Sequence, residues 1–252
     1  MRSKSLRANR PARGQARARA ALSGAMTDST DDALRTARIL LEIEAIHIRP
    51  AQPFTFTSGW ASPVYVDCRK VISFPRARRA IIDMAVAKIE REIGFEAIDA
   101  VAGGETAGIP YAAWIADRLG LPMLYVRKKP KGFARNAQIE GDLKPGARVL
   151  LVEDLASDGK SKLGFVDALR RADATVTDAL VVFFYSVFPG GLAILDKIGV
   201  RLHALATWKE VLEIAGTDPK FSASDLTEVR AFLADPVKWS VAHGGAGETK
   251  EA

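Results

Sequence analysis

The chain has 252 residues, 48% of them hydrophobic, a single cysteine and a formal net charge of +6, which suits one α/β domain with an elaboration or two small domains. Its longest apolar runs, such as Ala179 to Tyr185, fall short of the roughly 20 residues that cross a bilayer. The excess charge sits in residues 1–25, which hold seven Lys and Arg and no acid, so residues 26–252 carry −1; a folded domain that is near neutral argues against a nucleic-acid-binding face.

The first segment, MRSKSLRANRPARGQARARAALSGA, is rich in Arg, Ala and Ser and lacks the apolar stretch of a secretory signal. That composition belongs to an organelle transit peptide, to a disordered arm, or to residues upstream of a true start at Met26. Cys68 has no partner for an intrachain disulfide, which fits a reducing, cytoplasmic compartment. His47, His203 and His243 lack the spacing of metal ligands.

Asp31 to Ala45 reads as a helix capped by Asp31, with Leu34, Leu41 and Ala45 on one face. Phe54 to Asp67 alternates loosely around Ser58-Gly59 and Pro63, as a hairpin does. Pro75 opens a helix to about Glu92 that Gly94 ends. A repeating pattern follows. Ala97 to Ala102 is a short strand broken by Gly103-Gly104, Ala107 to Leu119 a helix ended by Gly120, and Pro122 to Val126 a strand. Arg127 to Gly146 is a long polar segment, Arg148 to Val152 a strand, and Lys160 to Arg171 a helix. Asp178 to Tyr185, Leu192 to Ile198 and Val200 to Ala206 continue as strand, helix and strand. Two helices close the chain, Trp208 to Ala215 and one from Ser224 to Ala234, before the disordered-looking HGGAGETKEA.

Strands alternating with helices and apolar on both faces predict an α/β fold with a mainly parallel sheet flanked by helices. Ligands of such sheets lie beyond the carboxyl ends of the strands. Three informative loops fall there: GGETAG, RKKPKGFARN and EDLASDGKS.

The last loop ends VLLVEDLASDGKSK on Gly159-Lys160-Ser161, which invites a P-loop. A P-loop needs a glycine six residues before its lysine, and Asp154 stands there. The loop offers other chemistry. Glu153 and Asp154 leave a buried strand side by side, as a pair suited to two ribose hydroxyls or to a metal ion shared with a substrate. Ala156 to Ser161 is small and polar and opens a helix whose free N–H groups suit a phosphate monoester. In the second loop Arg127, Lys128, Lys131 and Arg135 form a cationic cluster able to close over and neutralise a departing pyrophosphate. In GGETAG, Gly103 and Gly104 permit close backbone approach but lack dinucleotide-motif spacing.

A buried strand, two acids and a small phosphate loop resemble the signature of the phosphoribosyltransferases that use phosphoribosyl pyrophosphate (PRPP). Within that family the chain is similar to the orotate phosphoribosyltransferases through FTFTSGWASPVYVDCRKVISFP, AVAGGETAGIPYAA, YVRKKPKGFARNAQIEG and the acidic motif, together about residues 54–165. The resemblance implies the type I phosphoribosyltransferase fold, with a hood built from 30–70 and 207–240. It also implies transfer of the phosphoribosyl group to orotate, with Mg²⁺ held by PRPP rather than by side chains, and a homodimer whose loops reach the neighbouring site.

By the same resemblance Glu153 and Asp154 hold the ribose hydroxyls, and Leu155, Ala156, Ser157, Asp158, Gly159, Lys160 and Ser161 surround the 5′-phosphate. Arg127, Lys128 and Lys131 bind pyrophosphate with Gly103, Gly104, Glu105 and Thr106, while Thr57, Tyr65 and Ser157 face the base; Lys131 and Asp154 are the catalytic choices. Three single positions and the phosphate loop depart from the family pattern. Thr57 replaces a lysine, Phe133 a histidine and Val187 an arginine, and the phosphate loop reads Ala-Ser-Asp-Gly-Lys-Ser instead of Thr-Thr-x-Gly-Gly-Ser.

Overall fold

The computed structural model of the chain describes residues 29–56, 59–131, 138–157, 160–187 and 191–247, with the backbone alone at 160, 161 and 191. Its centre is a six-stranded sheet in the order β10-β9-β8-β5-β6-β7. The strands are β5 (Ala100–Gly104), β6 (Met123–Val126), β7 (Ile139–Glu140), β8 (Val149–Ala156), β9 (Asp178–Phe184) and β10 (Arg201–Thr207). Every pairing is parallel except β6 with β7. Burial on both faces explains the unbroken apolar runs: β5 is buried at all five positions and β9 at six of seven.

Helices α2 (Pro75–Glu92) and α3 (Gly108–Leu119) pack with α1 (29–42) in the larger core, where Leu40, Ile81, Ile89 and Ile115 meet Val101, Leu150 and Val182. Helices α4 (Lys160–Arg171) and α5 (Gly191–Lys197) cover the other side, placing Phe165, Leu169 and Leu195 on Leu151 and Val149. Pro75 stands in the first turn of α2, and Gly120 ends α3 in the left-handed conformation at φ 66°.

The chain's two ends meet in a smaller layer. There β1 (Ile46–Ile48) pairs with β4 (Val64–Val66), and β2 (Phe54–Thr55) with β3 (Ala61–Ser62), both antiparallel. Helices α6 (Trp208–Ala215), α7 (Ala223–Ala234) and α8 (Pro236–Ala242) complete it, and the Ala61 N–H donates to Ser240 Oγ at 3.0 Å. A capping box of Thr207 and Glu210 starts α6.

Several boundaries differ from the sequence reading. Helix α1 begins before Asp31, so Asp31 is a helical residue rather than a cap. Its buried residues are Thr36, Ala37 and Leu40; Leu34 and Leu41 are half-buried, and Ala45 is buried beyond the helix end. Gly103 and Gly104 do not break β5 but end it. Likewise β8 runs on through Glu153 and Asp154 to Ala156, because β9 continues to pair with it as far as Phe184. Strand β7 lies inside the segment expected to be loop, and helix α8 was not foreseen. The terminal HGGAGETKEA is tied down at its start, where the Ala246 N–H donates to the Gly59 carbonyl at 2.8 Å and Ser240 Oγ to the Ala246 carbonyl at 2.7 Å.

Candidate active site

Strand order reverses about β5. The chain leaves β5 for β6 on one side, and leaves β8 for β9 on the other. A crevice opens where neighbouring strands send their connections in opposite directions, and here it is a cavity of about 620 Å³. The loops after β5 and β6 contribute to its wall through Glu105, Thr106 and Ala107 and through Lys128, and the end of β8 with the residue that follows it through Glu153, Asp154, Leu155 and Ser157. The amino end of α4 adds Lys162, Gly164 and Phe165, while Val66, Asp67 and Arg69 close the opposite rim.

Glu153 is the most constrained group. Its side chain is 11% exposed and lies against two glycines. A Cβ on Gly104 would stand 2.2 Å from Glu153 Oε1, and one on Gly108 2.6 Å from the same atom. Gly104 and Gly108 of GGETAG therefore make room for this carboxylate, whereas a Cβ on Gly103 would meet the backbone of Gly108 and Ile109. Lys162, itself 3% exposed at its side chain, places Nζ 3.6 Å from Glu153 Oε2 and donates to the Leu155 carbonyl at 2.5 Å. Glu153 Oε1 has no hydrogen-bond partner among the described residues. Burial pushes the Glu153 carboxyl up to about 7, with Lys162 acting against the shift and Asp154 adding to it.

Asp154 works in a different setting. Burial raises its carboxyl too, opposed by Lys162, by the backbone N–H groups of Asp154 and Leu155, and by Arg69. Beside it lies Cys68, wholly buried, whose thiol is driven up by that burial and by the charges of Asp154 and Asp67. Tyr111 donates to the Cys68 carbonyl at 2.6 Å and pins the 3-10 helix Cys68–Ser73 onto α3. On the rim, Arg69 Nε donates to Asp67 Oδ1 at 2.7 Å and Nη2 to the Tyr65 hydroxyl at 3.1 Å. Tyr65 belongs to an aromatic shelf with Phe54, Phe56 and His47, all within 6.4 Å between ring centres.

The loop after β5 contains a cis peptide between Glu105 and Thr106, and Glu105 Oε2 accepts from the Lys128 backbone N–H at 2.7 Å. That bond joins the first two loops. Arg127 turns from the cavity wall toward Glu140, 3.5 Å away, and exchanges backbone and side-chain hydrogen bonds with Gln138.

Of the residues singled out by sequence, Glu105, Thr106, Lys128, Glu153, Asp154, Leu155 and Ser157 line the cavity together. Gly103, Gly104 and Ala156 are buried behind that wall, Tyr65 touches it through Arg69, and Lys131 is exposed. Val187 is half-buried and packed against the larger core. Thr57, Phe133, Arg135, Asp158, Gly159 and the basic tail lie outside the described residues, as do the side chains of Lys160 and Ser161. Sequence reasoning missed Asp67, Arg69, Gln138 and Lys162. The one available signal was the run Asp67-Cys68-Arg69-Lys70, which reads as an ordinary charged turn. A lysine in the first turn of a helix reads as solvated.

A parallel sheet whose central strand ends on two acids and a short loop into a helix is the framework of a phosphoribosyltransferase. The description "Phosphoribosyl transferase domain" matches residues 74–224, and the chain belongs to that family. Its relatives narrow the assignment. The orotate phosphoribosyltransferase of Cereibacter sphaeroides is 54% identical over 215 residues, covering 85% of this chain and 93% of that protein. That of Sinorhizobium fredii is 52% identical over 225 residues, covering 89% and 97%. Among solved structures, orotate phosphoribosyltransferase from Aeropyrum pernix superposes with a TM-score of 0.60 at 32% identity, over 72% of this chain and 99% of that one. Leishmania donovani UMP synthase gives 0.67 at 28%, covering 80% of this chain and 42% of the other. Within the family, the chain is one of the orotate phosphoribosyltransferases.

Proposed function

We propose that this chain transfers the 5-phosphoribosyl group of PRPP to orotate, giving orotidine 5′-monophosphate and pyrophosphate. The observation that carries the reading is the convergence of three strand ends on one cavity, in a chain more than half identical over 215 residues to a relative of that name. Glu153 and Asp154 accept hydrogen bonds from the ribose hydroxyls. The segment from Ala156 through Ser161, which leads from β8 into α4, takes the 5′-phosphate on backbone N–H groups. Lys128 and Lys131, with Arg127 when it leaves Glu140, neutralise pyrophosphate as the bond from C1 to its oxygen breaks and the electron pair departs with it. Two nearby carboxylates stabilise the positive charge that grows on C1. The lone pair of orotate N1 then forms the new C–N bond, its proton having gone to solvent.

Phosphoribosyltransferases use Mg²⁺ with PRPP. No three His, Cys, Asp or Glu side chains gather as a metal site among the described residues. A cation carried by the pyrophosphate and ribose hydroxyls would screen charge on the leaving group.

Orotate brings a carboxylate of its own. The cations on the described cavity wall are Arg69, Lys128 and Lys162. Lys162 is occupied beneath the loop and Lys128 serves pyrophosphate, which leaves Arg69, steadied by Asp67 and Tyr65, for the base. A homodimer completes the reading. The test is orotate absorbance in the ultraviolet with PRPP and Mg²⁺ present and with each omitted. Loss that requires both establishes the activity. A steady signal alongside calorimetric binding of PRPP assigns the site to another base.

A further inference from the structure

Lys162 is a buried cation with no obvious need to be one. Its residue is 2% exposed, and it stands at the far side of the phosphate loop from Glu153. Replacing a buried ion pair with apolar side chains of similar size is commonly neutral or stabilising, whereas removing one partner alone strands a charge. Stability of the fold therefore does not explain a lysine here. What Lys162 touches is more informative. Its ammonium donates to the Leu155 carbonyl at 2.5 Å and stands 3.6 Å from Glu153 Oε2. The other oxygen of Glu153 lies against Gly104 and Gly108 and has no hydrogen-bond partner among the described residues. The carboxylate is thus held in place by packing on one side and by charge on the other, with acceptor capacity left over.

We propose that Lys162 is a positioning residue of the reaction, a clasp from α4 back to β8 that spans the phosphate loop and fixes the Glu153 carboxylate, ionised and correctly aimed, for a ribose hydroxyl. The proposal rests on the assignment of Glu153 to PRPP made above. The geometry adds a second consequence. One ammonium ties the start of α4 to the carbonyl two residues past Glu153, so α4 and the ribose acid are linked directly. Without that charge, burial drives Glu153 further toward its neutral form, since Lys162 is the largest influence opposing the shift.

The test is a double-mutant cycle in the full chain. Lys162→Gln keeps a donor for Leu155 and removes the charge; Lys162→Met removes both. Each is made alone and together with Glu153→Gln, and kcat/KM for PRPP and KM for orotate are measured from pH 6.5 to 9 (about the range around a carboxyl raised to neutrality). Lys162→Gln is expected to lower kcat/KM for PRPP on the order of 10²-fold, the scale of a misplaced contact, with KM for orotate nearly unchanged. The loss shrinks as pH rises, because a carboxyl without its counter-ion ionises only in more alkaline solution. In the Glu153→Gln background neither lysine substitution lowers kcat/KM further.

Wild-type kinetics in Lys162→Gln overturn the proposal, and so does a loss of equal size in both backgrounds. If the charge-stranded Lys162→Met does not fold, Glu153→Gln with Lys162→Met buries no charge and is compared with Glu153→Gln alone; a further tenfold loss there also refutes a role through Glu153. A wild-type chain that consumes no orotate overturns the functional reading instead, and the same cycle is then read from PRPP affinity by calorimetry.

Discussion

Two glycines four residues apart, Gly104 and Gly108, press on the same carboxylate, yet alanine at each should fail differently. At Gly108 the new methyl would lie 2.3 Å from the Val152 carbonyl oxygen, far inside the 3.4 Å at which ordinary contact begins. That neighbour is strand backbone in the centre of the sheet and cannot step aside, so α3 must lift from β8. Overpacking of this kind costs about 1–3 kcal/mol, which for a chain this long lowers Tm by about 2–12 °C. At Gly104 the nearest atom is Glu153 Oε1 at 2.2 Å, followed by the Phe165 ring at 2.6 Å. The carboxylate is the end of a flexible side chain and gives first, swinging off its position beside Lys162. Gly104→Ala should therefore lose little stability, about 1 kcal/mol, and much activity, with kcat/KM for PRPP down on the order of 10²-fold. Thermal unfolding followed by circular dichroism and steady-state kinetics, run on both variants, separate the two effects. If Gly104→Ala turns over PRPP at the wild-type rate, Glu153 does not occupy the position on which the reasoning depends.

The acid limb of kcat/KM for PRPP should fall near pH 7, because the ionised carboxylate is the form that stabilises a growing positive charge and Glu153 loses that form as pH drops through about 7; a rate flat down to pH 5.5 refutes it. Arg69→Ala should raise KM for orotate roughly 10–100-fold, the value of one hydrogen bond to a charged group, while KM for PRPP changes little; equal rises in both would move Arg69 out of the base site. His203 is buried between Glu92 Oε2 at 2.9 Å and Asp178 Oδ1 at 2.8 Å. His203→Leu should thus cost about 2–3 kcal/mol, read as a lower Tm with kinetics preserved, since the cluster lies at the opposite end of the sheet from the cavity. Gly164 sits in α4 with nothing within 4 Å of its would-be Cβ, so Gly164→Ala should raise stability by about 0.5–1 kcal/mol, and an unchanged or lower Tm would contradict that.

The parts of the fold that can be read from sequence are those whose environment is uniform along the chain. A strand buried on both faces, such as Asp178 to Phe184, carries its burial in every residue, and once such strands alternate with helices the carboxyl-end rule locates the ligand. Glu153, Asp154 and Lys128 were legible on that ground alone. Where a residue's surroundings come from a distant segment, the local pattern is silent or misleading. Strand β7 exists because Tyr125 and Val126 offer it an edge, not because Ile139-Glu140 asks for one, and α8 gains its place by packing beside β3.

Lys162 and Arg69 illustrate the same limit at the site. Each looks like a solvated charge until the chain that covers or faces it is in place. The glycines of GGETAG make the point most sharply. Judged by spacing they match no phosphate-binding pattern, and by local conformation they do not even interrupt the strand. For Gly104 and Gly108 the reason is a carboxylate about 50 residues further along, on the neighbouring strand, which needs a groove without side chains to lie in. A motif of this kind is a pair of half-sites, one supplying the charge and the other the space for it, and neither half has a meaning until β5 and β8 are hydrogen-bonded side by side.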